Sequence, residues 1–278
     1  REQQVEAIRR SLTLKRTIIQ LPTGGGKSEV MCGIIEALRQ VLGYIPTTLL
    51  LEPTDKLKKE MIERFNKYNI DAVDYNKKRE ILENKINVSH PASLNNDLSK
   101  DNSILSKVKV YLCDETHHSQ SVSYNATAIN VPNSEYMIGV SASAVGQDHV
   151  NSRNIQDYTV EELKSISMMG LVSYNVTAKE MIEAGKLSEP VLLVVNSLAN
   201  EKIPKNKQSD WHTISKVRLQ SDTRISYIAK CASYFSKQKR KSLILINNKE
   251  WAYRICKEIY NYGYGDECRL SFGGQVFL

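Results

Sequence analysis

Long apolar runs are missing from this chain of 278 residues. A transmembrane helix needs about 20 consecutive apolar residues, and no stretch of the sequence approaches that length. The first residues also lack the apolar core of a signal peptide. We therefore expect a cytoplasmic protein without a membrane partner.

Cysteine is scarce: five residues stand far apart in the sequence and form no C-x-x-C pair. This distribution argues against a disulfide framework and against a cysteine zinc site. The zinc pattern H-E-x-x-H is missing as well. The adjacent His117 and His118 have no third potential ligand nearby, so zinc binding by histidine is not expected.

Acidic residues are outnumbered, with 31 Asp and Glu against 38 Lys and Arg, which gives a formal net charge of +7. Clustered Lys and Arg gain affinity for nucleic acid by releasing its counterions, so this excess favours a polyanionic partner. The alternative is that the charge serves solubility alone. Two interpretations, a DNA-facing surface and a solvated helix end, are also open for the basic run of Lys237, Lys239, Arg240 and Lys241.

The segment Leu21–Ser28 reads LPTGGGKS and lies between the apolar run 17–21 and an amphipathic segment over 29–42. Its three consecutive glycines let the backbone turn N–H groups inward, and the helix that follows adds a partial positive charge. In this anion cradle Lys27 would reach the β- and γ-phosphates of ATP, and Ser28 would ligate Mg²⁺. The usual first glycine of the motif is replaced by leucine, so the alternative is an ordinary glycine-rich turn before a helix.

Two adjacent carboxylates, Asp114 and Glu115, follow the apolar run 108–113. Asp114 can hold Mg²⁺ directly or through water, while Glu115 orients and deprotonates the water that attacks the γ-phosphate. The alternative is an acidic pair in a surface loop. A position after a buried strand favours the first interpretation.

Apolar stretches that predict strands alternate with segments of helical spacing. These strands are expected over 17–21, 47–51, 86–88, 108–113 and 136–140. Strands that alternate with helices predict an α/β fold, a parallel sheet with helices on both faces and with ligands at the carboxyl ends of the strands. The motifs above all fall at such ends.

The ordered set of motifs resembles the superfamily 2 helicases. The matching segments are Gln4 as the adenine-reading Q motif, PTGGGKS as motif I, Pro53-Thr54 as motif Ia, Ser93-Leu94 as the next strand-end motif, Asp114 to His117 as the DExH box of motif II, Ser141-Ala142-Ser143 as motif III and Ser242–Ile246 as motif IV. This resemblance implies an ATP-dependent DNA helicase or translocase, a hydrolase with ATP and Mg²⁺ as cofactors.

The same resemblance assigns roles to individual residues. The catalytic residues would be Lys27, Asp114, Glu115 and His117. The nucleotide would be bound by Gln4, Thr23, Gly24, Gly25, Gly26, Lys27 and Ser28. Magnesium would be held by Ser28 and Asp114, nucleic acid by Pro53, Thr54 and Ser93, and coupling would run through Ser141 and Ser143. Two positions depart from the family, since Ser143 and His90 stand where threonines are usual.

A finer resemblance rests on the doubled His117-His118 and on the segment 176–187 before Pro190. It is to the phage-type, UvsW-like branch-migration helicases, within the wider group that contains the type III restriction translocases. This implies a cytoplasmic monomer, in the host cytoplasm if it is phage-encoded, that remodels branched or forked DNA, single- and double-stranded, in recombination and repair. The alternatives are an RNA helicase or restriction-type translocase of the same superfamily, or a nonhydrolytic, ATP-gated nucleic-acid clamp.

We predict a first RecA-like ATPase domain over 1–187 and a partial second RecA-like domain over 188–278. The second is expected to contain a strand over 191–195, a polar linker over 196–210, a helix over 211–235 and motif IV. Motifs V and VI are missing, including any Q-x-x-G-R-x-G-R pattern. Arginine fingers contribute about 10³-fold or more in rate, so we expect a truncated protein that binds ATP but turns it over poorly.

Overall fold

The computed structural model describes residues 2–152, 154–190, 221–246, 248–264, 268, 270–272 and 275–277. The chain divides into two compact units, Arg1–Pro190 and Val191–Leu278, and each is described by itself. Within the described ranges, no helix is long and apolar enough to cross a membrane. The strand and linker predicted over 191–210, and the first half of the predicted helix, lie outside these ranges.

The first unit is built on one sheet of seven strands. They are β1 (Arg16–Gln20), β2 (Thr48–Leu51), β3 (Ala72–Asp74), β4 (Ile86–Ser89), β5 (Val110–Asp114), β6 (Tyr136–Ser141) and β7 (Val172–Asn175). Their order is β3-β4-β2-β5-β6-β1-β7, and every neighbouring pair is parallel. The predicted α/β class with a parallel sheet is confirmed.

Helices cover both faces of this sheet. They are α1 (Glu2–Leu14), α2 (Lys27–Leu42), α3 (Asp55–Lys67), α4 (Tyr75–Lys78), α5 (Pro91–Leu98), α6 (Val122–Ile129), α7 (Val160–Met169) and α8 (Ala178–Glu183), with short 3₁₀ turns at Asn102–Leu105, Thr116–Gln120 and Ile155–Asp157. One apolar cluster joins Leu50 and Leu112 to Ile34 of α2 and Phe65 of α3. A second joins the alternate strand residues to α5, α6 and α7.

The central strands were predictable because they are buried on both faces. Strands β2, β4 and β5 are buried at every position, which gives the near-continuous apolar runs typical of parallel strands. Strands β3 and β7 were not anticipated. They are short, lie at the two edges of the sheet and remain half-exposed, so their sequences AVD and VSYN carry little apolar signal.

In the second unit, α9 (Asp222–Lys237) packs against α10 (Lys249–Ile259), which continues into a π-helical turn at Tyr260–Tyr264. Strands β8 (Leu270–Phe272) and β9 (Gln275–Phe277) form an antiparallel hairpin. The predicted motif IV segment Ser242–Ile246 is not a strand. Its residues alternate in burial, with Leu243 and Leu245 exposed and the isoleucines packed on the helices. A strand needs a pairing partner, and the described part of this unit offers none to this segment.

Candidate nucleotide-binding site

The motifs of the first unit gather at the carboxyl edge of the sheet. The glycine loop follows β1, the acidic pair ends β5, and Ser141 ends β6, which lies between them. The Leu21 N–H donates to the Ser141 carbonyl at 2.9 Å, so the loop begins in register with the neighbouring strand. This edge is where parallel sheets bind ligands.

The glycine loop has the backbone that an anion cradle requires. Gly24 and Gly26 have φ angles of +79° and +87°, which favour glycine. The Gly25 N–H donates to the Pro22 carbonyl at 2.8 Å and closes the turn. Helix α2 then begins at Lys27 with Gly26 as a cap that has no side chain to occupy the helix end. The partial positive charge of α2 therefore faces the loop.

Gln4 and Leu187 lie against this loop, although they are far apart in sequence. A Cβ atom added to Gly26 would fall 2.0 Å from Nε2 of Gln4, and one added to Gly24 would fall 3.0 Å from Leu187. The loop is thus closely packed, and larger residues at these positions would displace it. The structure brings Gln4 to the loop, while its role in reading adenine stays a prediction.

Lys27 and Glu115 form an ion pair that joins the loop to the acidic pair. The Lys27 Nζ lies 2.7 Å from Glu115 Oε1. Both side chains are largely shielded from solvent, with 13% and 26% of their surfaces exposed. The ammonium group is therefore held at the end of β5, where it can move from a carboxylate to a phosphate. Thr23 is exposed in the same loop, and Ser28 is half-buried in the first turn of α2.

Asp114 is buried at the end of β5, and its Oδ1 accepts the Glu115 N–H at 2.8 Å. Burial raises the pKa of Asp114 to about 6, with a further increase from the Glu115 carboxylate and opposing effects from that hydrogen bond and from Lys27. Glu115 has a φ angle of +47°, which is rare for a residue other than glycine. Such backbone strain is common at functional sites.

His117 connects the acidic pair to β6. Its Nδ1 lies 3.3 Å from Glu115 Oε2 and 3.0 Å from Ser141 Oγ. The Ser143 N–H in turn donates to Ser141 Oγ at 3.3 Å. Burial lowers the pKa of His117, helped by the adjacent His118 and by Lys27 and opposed by Glu115, which favours the neutral ring. Contacts thus run continuously from Lys27 to the segment after β6.

The predicted nucleic-acid residues lie at the same edge, beyond β5. Thr54 Oγ1 accepts the Leu57 N–H at 3.3 Å as the cap of α3, and half-buried Pro53 precedes it. Ser93 lies in the first turn of α5 and accepts a hydrogen bond from Asn76. His90, at the position of the usual threonine, caps α5 through its ring nitrogen. Strands β5 and β6 separate these residues from the glycine loop.

Three polar residues of this region were missed from the sequence. Gln20 is fully buried, and its amide exchanges two hydrogen bonds of 3.0 Å with the backbone of Val145, which fixes the segment after β6. The Thr116 hydroxyl donates to the carbonyls of β5 and β6. Glu52 follows β2, is fully buried and has a pKa raised to about 9, mainly by burial and then by Asp114. For Glu52 the available signal was a polar residue directly after an apolar run.

The residues present fit Mg²⁺ and the triphosphate of ATP. Hydroxyl and carboxylate oxygens, from Ser28 and Asp114, are the ligands that Mg²⁺ prefers. Among the described residues, no group of three or more His, Cys, Asp or Glu side chains could hold a metal ion. In nucleotide sites Mg²⁺ is commonly held by one or two carboxylates together with the phosphates, whose charge it neutralises.

A parallel sheet that carries a glycine loop, a DExH sequence and a serine-rich strand end along one edge defines the class of superfamily 2 helicases, and the predicted resemblance is confirmed. The chain belongs to the family described as "Type III restriction enzyme, res subunit", which matches residues 1–144, just over half of the chain.

Two known proteins, one of them in two solved structures, are similar to this chain. The "DNA 3'-5' translocase XPB2" of Sulfurisphaera tokodaii is 28% identical over 149 residues, which are 53% of this chain and 31% of that protein. The chain thus spans about a third of this relative's length. The "Crystal structure of the UvsW helicase from Bacteriophage T4" gives a TM-score of 0.48 at 18% identity, over 62% of this chain and 58% of that one. "The crystal structure of T4 UvsW" gives a TM-score of 0.48 at 17% identity, over 93% of this chain and 49% of that one.

Proposed function

We propose that this protein is an ATP-dependent DNA helicase or translocase that uses ATP hydrolysis to unwind or branch-migrate branched DNA. The observation that carries the proposal is the 2.7 Å contact between Lys27 and Glu115. It joins a phosphate-binding loop to a carboxylate from a distant strand, as hydrolysis of a nucleoside triphosphate requires.

Each side chain has a distinct task in this reaction. The loop N–H groups and Lys27 bind the phosphates, and Lys27 leaves Glu115 to do so. Glu115 then accepts a proton from the attacking water, whose oxygen bonds to the γ-phosphorus as the bond to the bridging oxygen of ADP breaks. Ser28 and Asp114 would hold Mg²⁺. His117 and Ser141 pass the state of Glu115 to the end of β6.

DNA is the proposed polyanion for two reasons. The formal charge of +7 favours a nucleic-acid partner, and the relative from Sulfurisphaera tokodaii is named as a DNA translocase. Thr54 and Ser93 follow the ends of the neighbouring strands β2 and β4, where they can contact backbone phosphates without reading sequence. DNA would therefore bind beside the nucleotide along the same edge of the sheet.

The test compares Lys27→Ala with Glu115→Gln. Loss of the ammonium should weaken ATP binding by about 10-fold or more, whereas Glu115→Gln should bind ATP and lose hydrolysis by about 100-fold, the size of a general-base effect. Binding is measured with a fluorescent ATP analogue and hydrolysis by phosphate release. Glu83→Gln, an exposed carboxyl paired with Lys107, is the control that should change neither. Full hydrolysis in Glu115→Gln would contradict the assignment.

The substrate is tested by comparing ATPase stimulation by branched DNA, linear duplex DNA and duplex RNA. We expect branched DNA to stimulate best. Stronger stimulation by linear DNA or by RNA would favour the restriction-type translocase or the RNA helicase. The same assay separates the alternative, an ATP-gated clamp. It predicts ATP-dependent retention of DNA without phosphate release.

A further inference from the structure

Glu52 is a buried carboxyl group that the reaction described above does not use. It directly follows β2, and its N–H donates to the Ser89 carbonyl at 3.0 Å, which extends the strand ladder by one residue. None of its surface is exposed to solvent. Within the described part of the chain, neither carboxyl oxygen has a hydrogen-bond partner.

Strand register places Glu52 beside Asp114. In the parallel pair of β2 and β5, Leu51 is opposite Cys113, so the next residues on the two strands are neighbours. Side chains alternate between the faces of a sheet. Leu50 and Leu112 belong to the cluster that packs on α2 and α3, so Glu52 and Asp114 point to that same face.

The charged groups that act on Glu52 are those of the nucleotide site. They are Asp114, Glu115 and Lys27, with a weaker contribution from Glu60 of α3. The carboxyl group therefore lies next to the acidic pair, on the face of the sheet that α2 covers. No other group among the described residues forms a hydrogen bond with this carboxyl group.

A buried carboxyl group without a partner destabilises a folded protein. The three preceding residues, Leu49, Leu50 and Leu51, are fully buried and apolar, so an apolar side chain would suit position 52 as well. Residues that destabilise the folded state are expected mainly at positions where function requires them. The position of Glu52 suggests that the required partner arrives with the nucleotide.

We infer that Glu52 is a positioning residue of the nucleotide site, whose carboxyl group accepts hydrogen bonds from the water shell of the divalent cation that Asp114 and Ser28 hold. The inference rests on the proposed function. Contact through water fits the finding that no described group of three acidic or histidine side chains could hold a metal directly. Mg²⁺ commonly keeps several waters in protein sites.

The experiment measures how much Mg²⁺ strengthens binding of a fluorescent, nonhydrolysable ATP analogue to the 278-residue chain. Glu52→Leu removes the acceptor, and we expect it to reduce the Mg²⁺ effect by about 10-fold, the lower end for an outer-shell partner of a metal. Glu52→Gln keeps one acceptor oxygen and should retain part of the effect. Binding without Mg²⁺ should change by less than about twofold in both variants, because neither touches the phosphate loop.

Thermal unfolding without nucleotide supplies a second measurement. Glu52→Leu should raise the midpoint, since it replaces an unpartnered carboxyl group by an apolar side chain. The matched control is Glu162→Gln, another buried glutamate in the first unit, whose carboxylate is fully hydrogen-bonded. This control should lower the midpoint and leave the Mg²⁺ effect unchanged. A purely structural Glu52 would behave like the control.

The outcomes separate the two proposals. If the wild-type chain binds no ATP analogue, the proposed function is contradicted. If the wild-type chain binds it in a Mg²⁺-dependent way that Glu52→Leu leaves intact, only the role of Glu52 is overturned. A reduced Mg²⁺ effect together with a raised unfolding midpoint supports the role.

Discussion

Ser141 is the residue at which the contacts of the acidic pair meet β6. Its hydroxyl lies 3.0 Å from the His117 ring and accepts the Ser143 N–H. These contacts join the acidic pair to the backbone of Ser143, and the coupling through motif III stays a prediction. The side chain of Ser143 is exposed.

The substitution Ser141→Ala tests this path. We expect ATP binding and basal hydrolysis to stay within about threefold of wild type, because Lys27 and Glu115 are untouched, while DNA stimulation falls by about 10-fold, within the usual range of coupling free energies. Basal and DNA-stimulated phosphate release measure the two effects. Ser134→Ala, before the same strand, is the control. An equal loss of both rates would show that Ser141 supports catalysis rather than coupling.

The residues that carry charge or glycine were the predictable part of the site. Lys27 and Glu115 were expected to act on one phosphate, and the structure places them in direct contact. Gln20 and Glu52 were missed because a single sequence does not reveal where a side chain at the end of a strand points. For Gln20 that depends on a backbone partner 125 residues away.

At the scale of elements, Gly170 fixes the connection from α7 to β7. Its φ angle is +94°, and an added Cβ would lie 2.5 Å from the Arg16 carbonyl oxygen, which is backbone of β1 and has little room to move. The next residue, Leu171, accepts hydrogen bonds from Ile18 and Thr17. A side chain at position 170 would push β7 away from β1.

We expect Gly170→Ala to destabilise the first unit by about 2–4 kcal/mol, from backbone strain together with the clash. Gly185→Ala is the matched control, because Gly185 also has a positive φ of +64° but no atom within 4 Å of an added Cβ. It should cost only about 1 kcal/mol. Urea unfolding followed by circular dichroism measures both. Equal losses would show that the contact with β1 is unimportant.

Glu162 joins α7 to the segment after β6, and its ionisation should make stability depend on pH. It accepts hydrogen bonds from the Gly146 N–H at 2.6 Å and the Thr159 N–H at 2.7 Å, and it lies 3.0 Å from His149. Burial alone would raise the pKa of Glu162, but these hydrogen bonds outweigh it and lower the pKa below its ordinary 4.5.

A lowered folded-state pKa means that the stabilisation is present above pH 4.5 and is lost as pH falls through the folded-state pKa. Glu162→Gln removes the charge, so the difference in unfolding free energy between wild type and variant should shrink as pH falls from 7 to about 3. Urea unfolding at several pH values checks this. Asp114 and Glu52, whose pKa values are raised, titrate in wild type and variant alike, so their effects on stability cancel in this difference. A difference that stays constant with pH would contradict the assignment.

The strands that could be predicted from the sequence are those that are buried on both faces of the sheet. The five inner strands were expected from apolar runs, within one or two residues of their observed bounds. The edge strands β3 and β7 were not, because most of their residues are only half-buried and their sequences carry little apolar signal. The segment Ser242–Ile246 is apolar after Ser242 but does not form a strand. Strand formation also needs a neighbouring strand, which a local pattern does not report.

At the scale of the whole molecule, the described nucleotide site belongs to one unit. Gln4, the glycine loop, the acidic pair and Ser141 all lie within Arg1–Pro190. The second unit, described by itself, contains a pair of packed helices and the basic run near residue 240. Nucleotide binding and nucleotide hydrolysis should therefore depend on the two units differently.

A fragment of residues 1–190 should bind a nonhydrolysable ATP analogue within about threefold of the 278-residue chain, a difference of roughly 0.6 kcal/mol. Both should hydrolyse ATP slowly, because no Q-x-x-G-R-x-G-R pattern is present to supply arginines to the γ-phosphate. Fluorescence titration and phosphate release measure these properties, with Lys27→Ala in both lengths as the control. Circular dichroism and a cooperative melt establish that the fragment is folded. A folded fragment that no longer binds the analogue would show that the second unit completes the nucleotide site, and fast DNA-stimulated hydrolysis by the 278 residues would show that another group replaces the arginines.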